Sequence, residues 1–273
     1  MSDLLIHSMK EFGHLILPAL AYANVRHIVE IGAEHGGMSQ LLARYCERYD
    51  GHLTSIDPAP SAQFRDWVAT ASHVRHVELP SLQAIGQTSD VDAWMVDGDH
   101  NWYTVYNELH GIREQSRRDQ RPMLVFLHDV GWPCARRDQY YAPERIPAQF
   151  RHPHSFDHGV LPDRTDAIAG RGWRGNGHFA LALNEGGPHN GVLTAVEDFV
   201  TDCHGHDESL AWASIPGVFG LGVLFDLNAP WSTDIAALLA PHHENPLLQR
   251  LEENRLQNFL AVVEWQDSQS VCA

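Results

Sequence analysis

Apolar and polar positions alternate along this chain in two rhythms. Over residues 3–23, Leu4, Leu5, Met9, Phe12, Leu15, Ile16 and Leu20 recur at helical spacing. HIVEIG at 27–32 is then a short apolar run ending in glycine. GGMSQLLARYCERY at 36–49 reads as a helix and HLTSID at 52–57 as a second strand. SAQFRDWVATAS (61–72) predicts a helix, VRHVEL (74–79) a third strand and DAWMVDGD (92–99) a fourth. TVYNELHGIREQS (104–116) predicts a helix and MLVFLHDV (123–130) a fifth strand. The strand cores are apolar at consecutive positions, as strands covered on both faces must be. Strands alternating with helices predict an α/β fold with a doubly wound, mostly parallel Rossmann-like sheet.

The rhythm breaks after Val130. Residues 131–185 are rich in Pro, Gly, Arg, His and aromatics and show no clear period. A loop this long in a compact domain is usually functional or disordered. A helix resumes at 191–203, VFGLGVLFDL (218–227) reads as a late strand, and 245–266 predicts an amphipathic terminal helix. That helix is expected to cover the sheet or pack against a partner subunit. The expected organisation is an N-terminal helix (1–26), a core (27–130), an inserted lid region (131–190) and a completion of the core with the C-terminal helix (191–273).

Composition narrows the function. The 273 residues carry 19 Lys+Arg against 35 Asp+Glu, a formal charge of −16. Such a chain is a poor partner for phosphate backbones or an anionic membrane. A hydrophobic content of 44% is too high for a disordered polymer. Cys46, Cys134, Cys203 and Cys272 are scattered, with no C-x-x-C pair. This pattern and the absence of a signal-like leader predict a cytoplasmic protein. The 19 His leave open metal, catalysis or simple bias.

Ligands of doubly wound sheets bind at the carboxyl ends of the strands. The first strand ends Val29-Glu30-Ile31-Gly32-Ala33-Glu34-His35-Gly36-Gly37, a G-x-x-x-G-G spacing. It departs from the G-x-G-x-x-G of dinucleotide sites. Glu30 within the strand end would repel a pyrophosphate and attract an amine or sulfonium. Asp57 ends the second strand, 25 residues after Gly32. Leu79-Pro80-Ser81-Leu82 follows the third. Asp57 is equally placed to cap a turn before Pro58, and Ser81 to cap a helix.

Taken together in this order, Glu30-Ile31-Gly32, Gly36 and Asp57 resemble the motifs of class I S-adenosylmethionine-dependent methyltransferases. The resemblance covers roughly residues 27–130. It implies that Glu30, Gly32, Gly36, Asp57, Ser81 and Asp97 surround S-adenosylmethionine, with Asp57 accepting the ribose hydroxyls.

The fourth strand ends Asp97-Gly98-Asp99-His100-Asn101-Trp102 and the fifth Leu127-His128-Asp129-Val130. Two carboxylates from adjacent strand ends suit a divalent cation such as Mg²⁺. This region is similar to metal-dependent O-methyltransferases acting on antibiotic sugars and related natural products. By that likeness Asp97 and Asp129 are metal ligands and His100 is the general base. His128 stands where an acid often precedes the second Asp, and imidazole favours a softer ion than Mg²⁺. The competing reading makes Asp97 a contact of the cofactor's amine, or a cap, and Asp99 the N-cap of the next helix.

In the insertion, Arg136 and Arg137 are adjacent bases followed by Tyr140 and Tyr141. With Trp102 they are candidate substrate contacts: an anion anchor and aromatic walls. The alternative is a solvated turn with the arginines paired to Asp138 and Glu144. His152, His154 and His158 read as a surface loop rather than a metal cluster.

The expected activity is methyl transfer to a hydroxyl of a small molecule, in secondary metabolism, with S-adenosylmethionine and a divalent metal. A metal-independent N-methyltransferase of an amino sugar or amino acid is the alternative. An NAD-dependent oxidoreductase is disfavoured by the glycine spacing. A metal-dependent hydrolase and a non-catalytic cofactor-binding module complete the set. The expected partners are a small-molecule methyl acceptor and a second copy of the chain, with no nucleic acid and no membrane.

Overall fold

The computed structural model describes residues 8–33, 35–204 and 209–271. Leu4 and Leu5 of the first predicted helix, Glu34 of the glycine turn and Cys272 lie outside the described residues. A 3₁₀ turn (Met9–Phe12) runs into α1 (Gly13–Tyr22), the remainder of the predicted helix.

The chain then alternates as its pattern requires: β1 (His27–Ile31), α2 (Gly37–Arg48), β2 (His52–Ile56), α3 (Ala62–Val68), β3 (Val74–Val77), α4 (Ser81–Ala84), β4 (Ala93–Val96), α5 (Trp102–Asp119) and β5 (Leu124–His128). All five residues of β1 and of β5 are buried. β1 pairs in parallel with β2 and β4, β2 with β3, and β4 with β5. Two apolar layers result. One holds Leu15, Ile16 and Leu20 of α1 with Leu42 of α2; the other holds Val105, Leu109 and Ile112 of α5. Helices on both faces explain why the strands carry no polar alternation. α5 starts on Asn101, whose side chain accepts from Thr104 N at 2.9 Å, so Asn101 and not Asp99 is its N-cap.

The insertion is ordered. It contains β6 (Gln139–Tyr140), β7 (His154–Ser155), β8 (His158–Gly159), β9 (Ile168–Ala169) and β10 (Ala180–Ala182), arranged as a three-stranded sheet β6-β10-β7 and a β8–β9 pair. Its hub is Asp138, 0% exposed. One Asp138 oxygen accepts from Trp102 N (2.8 Å) and Gly191 N (2.7 Å), and the other from the Tyr140 hydroxyl (2.7 Å). These bonds staple the insertion to the start of α5. Buried polar ties of this kind have no hydrophobic period, which is why the segment reads as irregular in sequence.

The chain ends with α6 (Val192–His204), β11 (Leu210–Ile215), β12 (Leu221–Asp226), α7 (Ser232–Leu239) and α8 (Pro246–Val271). β12 is antiparallel to β5, and β11 to β12. The sheet order is β11-β12-β5-β4-β1-β2-β3. The late strand begins at Leu221; residues 218–220 of the predicted segment form the turn that precedes it. β11 was not expected, because its half-buried edge residues carry no clean alternation. α8 sets Leu248 against the core layer that includes β11 and β12 and also reaches the insertion. Its Phe259 ring packs on Trp173 of the insertion (6.1 Å between centroids), and its carboxylates pair with Arg171 and Arg174. No helix among the described residues is long and apolar enough to cross a membrane.

Candidate active site

The site lies at the carboxyl edge of the sheet. Gly32 has φ +87°, and a Cβ there would sit 2.1 Å from the Asp97 carbonyl oxygen. Only glycine lets the end of β1 come this close to the end of β4. Gly36, at φ +79°, opens α2 beside the Phe64 ring. Asp57 joins the two loops. Its Oδ2 accepts from Ala33 N (2.9 Å) and its Oδ1 from Ala59 N (2.8 Å). The expected turn cap is therefore present, and the same carboxylate also holds the glycine loop.

Glu30 is 1% exposed, and its Oε2 accepts from the Ser39 (2.6 Å) and Ser55 (2.9 Å) hydroxyls. Burial outweighs those bonds and pushes its pKa up to about 7. Glu30 thus ties β1 to α2 and β2. Ser81 starts α4 and lies beside Glu108, a buried acid of α5 whose pKa burial pushes up to about 8.

Asp97, His100, His128 and Asp129 come together where β4 and β5 leave the sheet. His100 Nε2 lies 3.1 Å from Asp129 Oδ2 and 3.6 Å from Asp97 Oδ1. His128 Nδ1 lies 3.1 Å from both Asp97 Oδ1 and Asp129 Oδ2. Each imidazole thus faces the same two carboxylates. Burial disfavours charge on His100, yet Asp129 and Asp97 raise its pKa to about 9. The same balance raises His128 well above its ordinary value. Burial would raise Asp97, but the His128 charge and the bonds from both rings hold it below the usual carboxylate range. Asp129 adopts φ 59°, a left-handed backbone that turns its carboxylate back toward the β4 end.

Asp97, His100 and Asp129 each offer a ligand atom, all within 4.8 Å of one another. The closest nitrogen–oxygen separations, 3.1 Å, are about those between adjacent ligands of an ion with bonds near 2.1 Å. Mixed carboxylate and imidazole donors fit a divalent cation of intermediate softness, such as Mn²⁺, Fe²⁺ or Zn²⁺, better than Mg²⁺. His128 is the expected third ligand, and its Nδ1 faces the same oxygens.

Residues outside the strand-end motifs contact these rings or the backbone that holds them. The Gln139 side-chain nitrogen is 3.1 Å from His100 Nδ1. His128 Nε2 donates to the Val218 carbonyl at 2.8 Å. Glu252 of α8 accepts from Phe219 N at 3.1 Å. Burial opposes the Glu252 charge, but Arg255 and the backbone donors lower its pKa. One signal could have exposed Glu252: it lies on the apolar stripe Leu248, Leu256, Leu260 at four-residue intervals.

Four of the five expected substrate contacts are directed elsewhere. Arg137 is 1% exposed and donates to the carbonyls of Ala182 (2.5 Å) and Thr165 (2.6 Å), so it is an internal strut. Arg136 pairs through both amino groups with Glu197 of α6. Tyr140 is 0% exposed and bound to Asp138. Trp102 is 5% exposed, stacks on Tyr106 (4.6 Å) and donates to Asp198 (2.7 Å). In each case the charge or ring already has a partner within the fold. Tyr141 differs: it is 52% exposed, and its ring lies 6.1 Å from that of His100.

Residues 29–130 match a protein family described as a methyltransferase domain. No curated protein matched the sequence. Among solved structures, a methyltransferase of Podospora anserina with S-adenosylhomocysteine (SAH) bound shares 12% identity, covering 84% of this chain and 83% of that one, with a TM-score of 0.48. An O-methyltransferase of Streptomyces achromogenes involved in tomaymycin synthesis, in complex with SAM, shares 17% over 83% of each chain, with a TM-score of 0.46. A Bacillus cereus O-methyltransferase in complex with SAH shares 14%, covering 80% and 81%, with a TM-score of 0.45.

Proposed function

Because residues 29–130 match a methyltransferase-domain family and their strand-end motifs resemble class I S-adenosylmethionine-dependent enzymes, we propose that the chain uses S-adenosylmethionine to methylate a hydroxyl group of a small molecule. The observation that carries this reading is the meeting of Asp97, His100, His128 and Asp129 beside the Gly32 loop. When bound, S-adenosylmethionine supplies an electrophilic methyl, and a divalent cation supplies Lewis acidity at the acceptor oxygen.

The chain's own residues divide the remaining tasks. Gly32, Gly36, Asp57 and Ser81 form the cofactor's cradle, with Glu30 tying β1 to α2 and β2. Asp97 and Asp129, with His128 Nδ1, would hold the cation. His100 Nε2 would take the acceptor's proton, its ring fixed through Gln139. Tyr141 would form one wall of the acceptor pocket. Only the neutral imidazole can accept a proton. With its pKa raised to about 9, His100 should give cation-free turnover that rises toward alkaline pH. Positive charge between the carboxylates should move that limb toward neutrality. A role in secondary metabolism rests on the sequence resemblance. A cytoplasmic setting is proposed from the scattered cysteines, and self-association through α8.

A second reading has a specific observation behind it. Asp97, His100 and Asp129 form a ligand trio by themselves, and His100 would then be a ligand rather than a base. An amine acceptor, which can arrive unprotonated, would suit that arrangement. The test is calorimetric binding of S-adenosylhomocysteine and Mn²⁺, followed by methyl transfer to hydroxyl and amine acceptors with and without chelator. We expect binding of S-adenosylhomocysteine and chelator-sensitive transfer to hydroxyls. Tight NADH binding with none for S-adenosylhomocysteine would sink the proposal. His100→Ala should leave Mn²⁺ affinity intact if His100 is the base and weaken it if His100 is a ligand.

A further inference from the structure

The Gly217–Gly220 turn between β11 and β12 carries left-handed backbone beside the site. Val218 and Phe219 have φ values of 43° and 65°, a region that β-branched and bulky residues avoid. Gly220 N closes the turn on Gly217 O at 2.7 Å. Such a conformation persists only where its surroundings over-determine it. On one side the Phe219 carbonyl accepts from Gly131 N (2.6 Å), and the Val218 carbonyl accepts from His128 Nε2 (2.8 Å). On the other side Phe219 N donates to Glu252 Oε1 at 3.1 Å, and Val218 N donates to the same carboxylate. Arg255 holds that carboxylate through two bonds of 2.6 Å and lies over the Phe219 ring at 5.4 Å. Glu252 is 9% exposed and reaches the turn from α8, outside the sheet.

We infer that Glu252 is a positioning residue for the candidate active site. By binding the turn's two amides it fixes the conformation in which the Val218 carbonyl takes the His128 Nε2 proton, leaving Nδ1 as the atom that faces Asp97 and Asp129. The inference rests on the reading of that cluster as the reactive site. Its logic is that of an outer-shell group, which orients a ring by occupying the nitrogen on the far side.

The experiment follows the His128 Nε2 proton by NMR in the full chain labelled with ¹⁵N-histidine. His128→Asn identifies the resonance. In the unsubstituted protein this proton should be visible and slow to exchange. Glu252→Ala should accelerate its exchange at least about tenfold, and Glu252→Gln, which keeps one acceptor, should fall between. Leu256→Ala loosens the same helix from its apolar side and should leave the proton protected. Unchanged protection in Glu252→Ala overturns the inference. So does an equal loss in Leu256→Ala, which would assign the effect to helix docking as a whole. Mn²⁺ affinity gives a second readout, expected to fall about tenfold or more in Glu252→Ala. If the unsubstituted protein binds no Mn²⁺, the metal reading of the site fails, while the proton-exchange result still decides the role of Glu252.

Discussion

Two histidine pairs sit at opposite ends of the same sheet and behave in opposite ways. At the carboxyl edge, His100 and His128 face Asp97 and Asp129, and the His100 pKa rises to about 9. At the amino edge, His27 stacks on His52 with ring centroids 4.0 Å apart. There burial and the like charge of His52 lower the His27 pKa to about 4. Neutral His27 is fully satisfied, with Nδ1 donating to Ser89 O (3.0 Å) and Nε2 accepting from the Thr54 hydroxyl (3.0 Å). A proton on Nε2 would reverse the second bond, with the Thr54 hydroxyl oxygen as acceptor. Burial acts against charge in both places. At His100 the facing carboxylates overcome burial, whereas at His27 burial is the largest cause and the His52 ring adds to it.

The largest expected effect tests the charged pair. Asp129→Asn should lower methyl transfer by roughly 100-fold or more. In the cation-free protein it should also bring the His100 titration, read by NMR, down from about 9 toward its ordinary range. A full loss of activity with an unmoved His100 titration would break the electrostatic side of the comparison.

The next effect concerns stability at the other edge. The folded pKa of His27 lies below the unfolded value, so the unfolded chain binds the extra proton. Stability is then present above pH 6.5 and is lost as pH falls toward 4. The loss is about 3 kcal/mol. Denaturant unfolding of His27→Gln should show this acid slope flattened. His100 has the opposite sign: its folded pKa is raised, so its contribution is present below pH 6.5 and disappears as pH rises through about 9. The two edges should therefore weaken on opposite sides of neutrality in the cation-free protein.

His52→Gln should raise the His27 titration by removing the like charge, changing stability near pH 5 by less than about 1 kcal/mol. If the titration stays put, burial alone sets it. The smallest effect lies outside both pairs. Arg136→Ala breaks the exposed bond to Glu197, worth about 0–1 kcal/mol, and should leave the KM for the methyl acceptor unchanged. A large rise in KM would restore Arg136 as an anion anchor.

Most of the core was legible because local pattern and tertiary role agree there. β1 and β5 are apolar at successive positions because helices cover both faces, and Gly32 ends β1 because β4 presses on it. Asp97 and Asp129 could be picked out because strand ends in this topology converge on one edge. The substrate contacts were not legible in the same way. Arg136, Arg137, Tyr140 and Trp102 have the chemistry of a binding surface, but nothing local says whether a guanidinium meets a ligand, a carboxylate or a backbone carbonyl. Long-range hydrogen bonds made that choice, such as Arg137 to Ala182 and Thr165. Glu252 was marked only by its place on an apolar helical stripe, and Val218 by nothing local, for a related reason. Their roles pass through a turn whose left-handed backbone no Val-Phe sequence announces.

By itself the sequence determined the alternation of strands and helices, the glycine at the β1 end, and the acids at successive strand termini. These follow from local periodicity and from connection rules that act on short stretches. The tertiary structure alone decided that two imidazoles share two carboxylates, that the insertion hangs on Asp138, and that the last helix reaches the Val218 turn. Those outcomes depend on groups dozens of residues apart meeting within about 3 Å, where burial strengthens electrostatics and a hydrogen bond has one available partner.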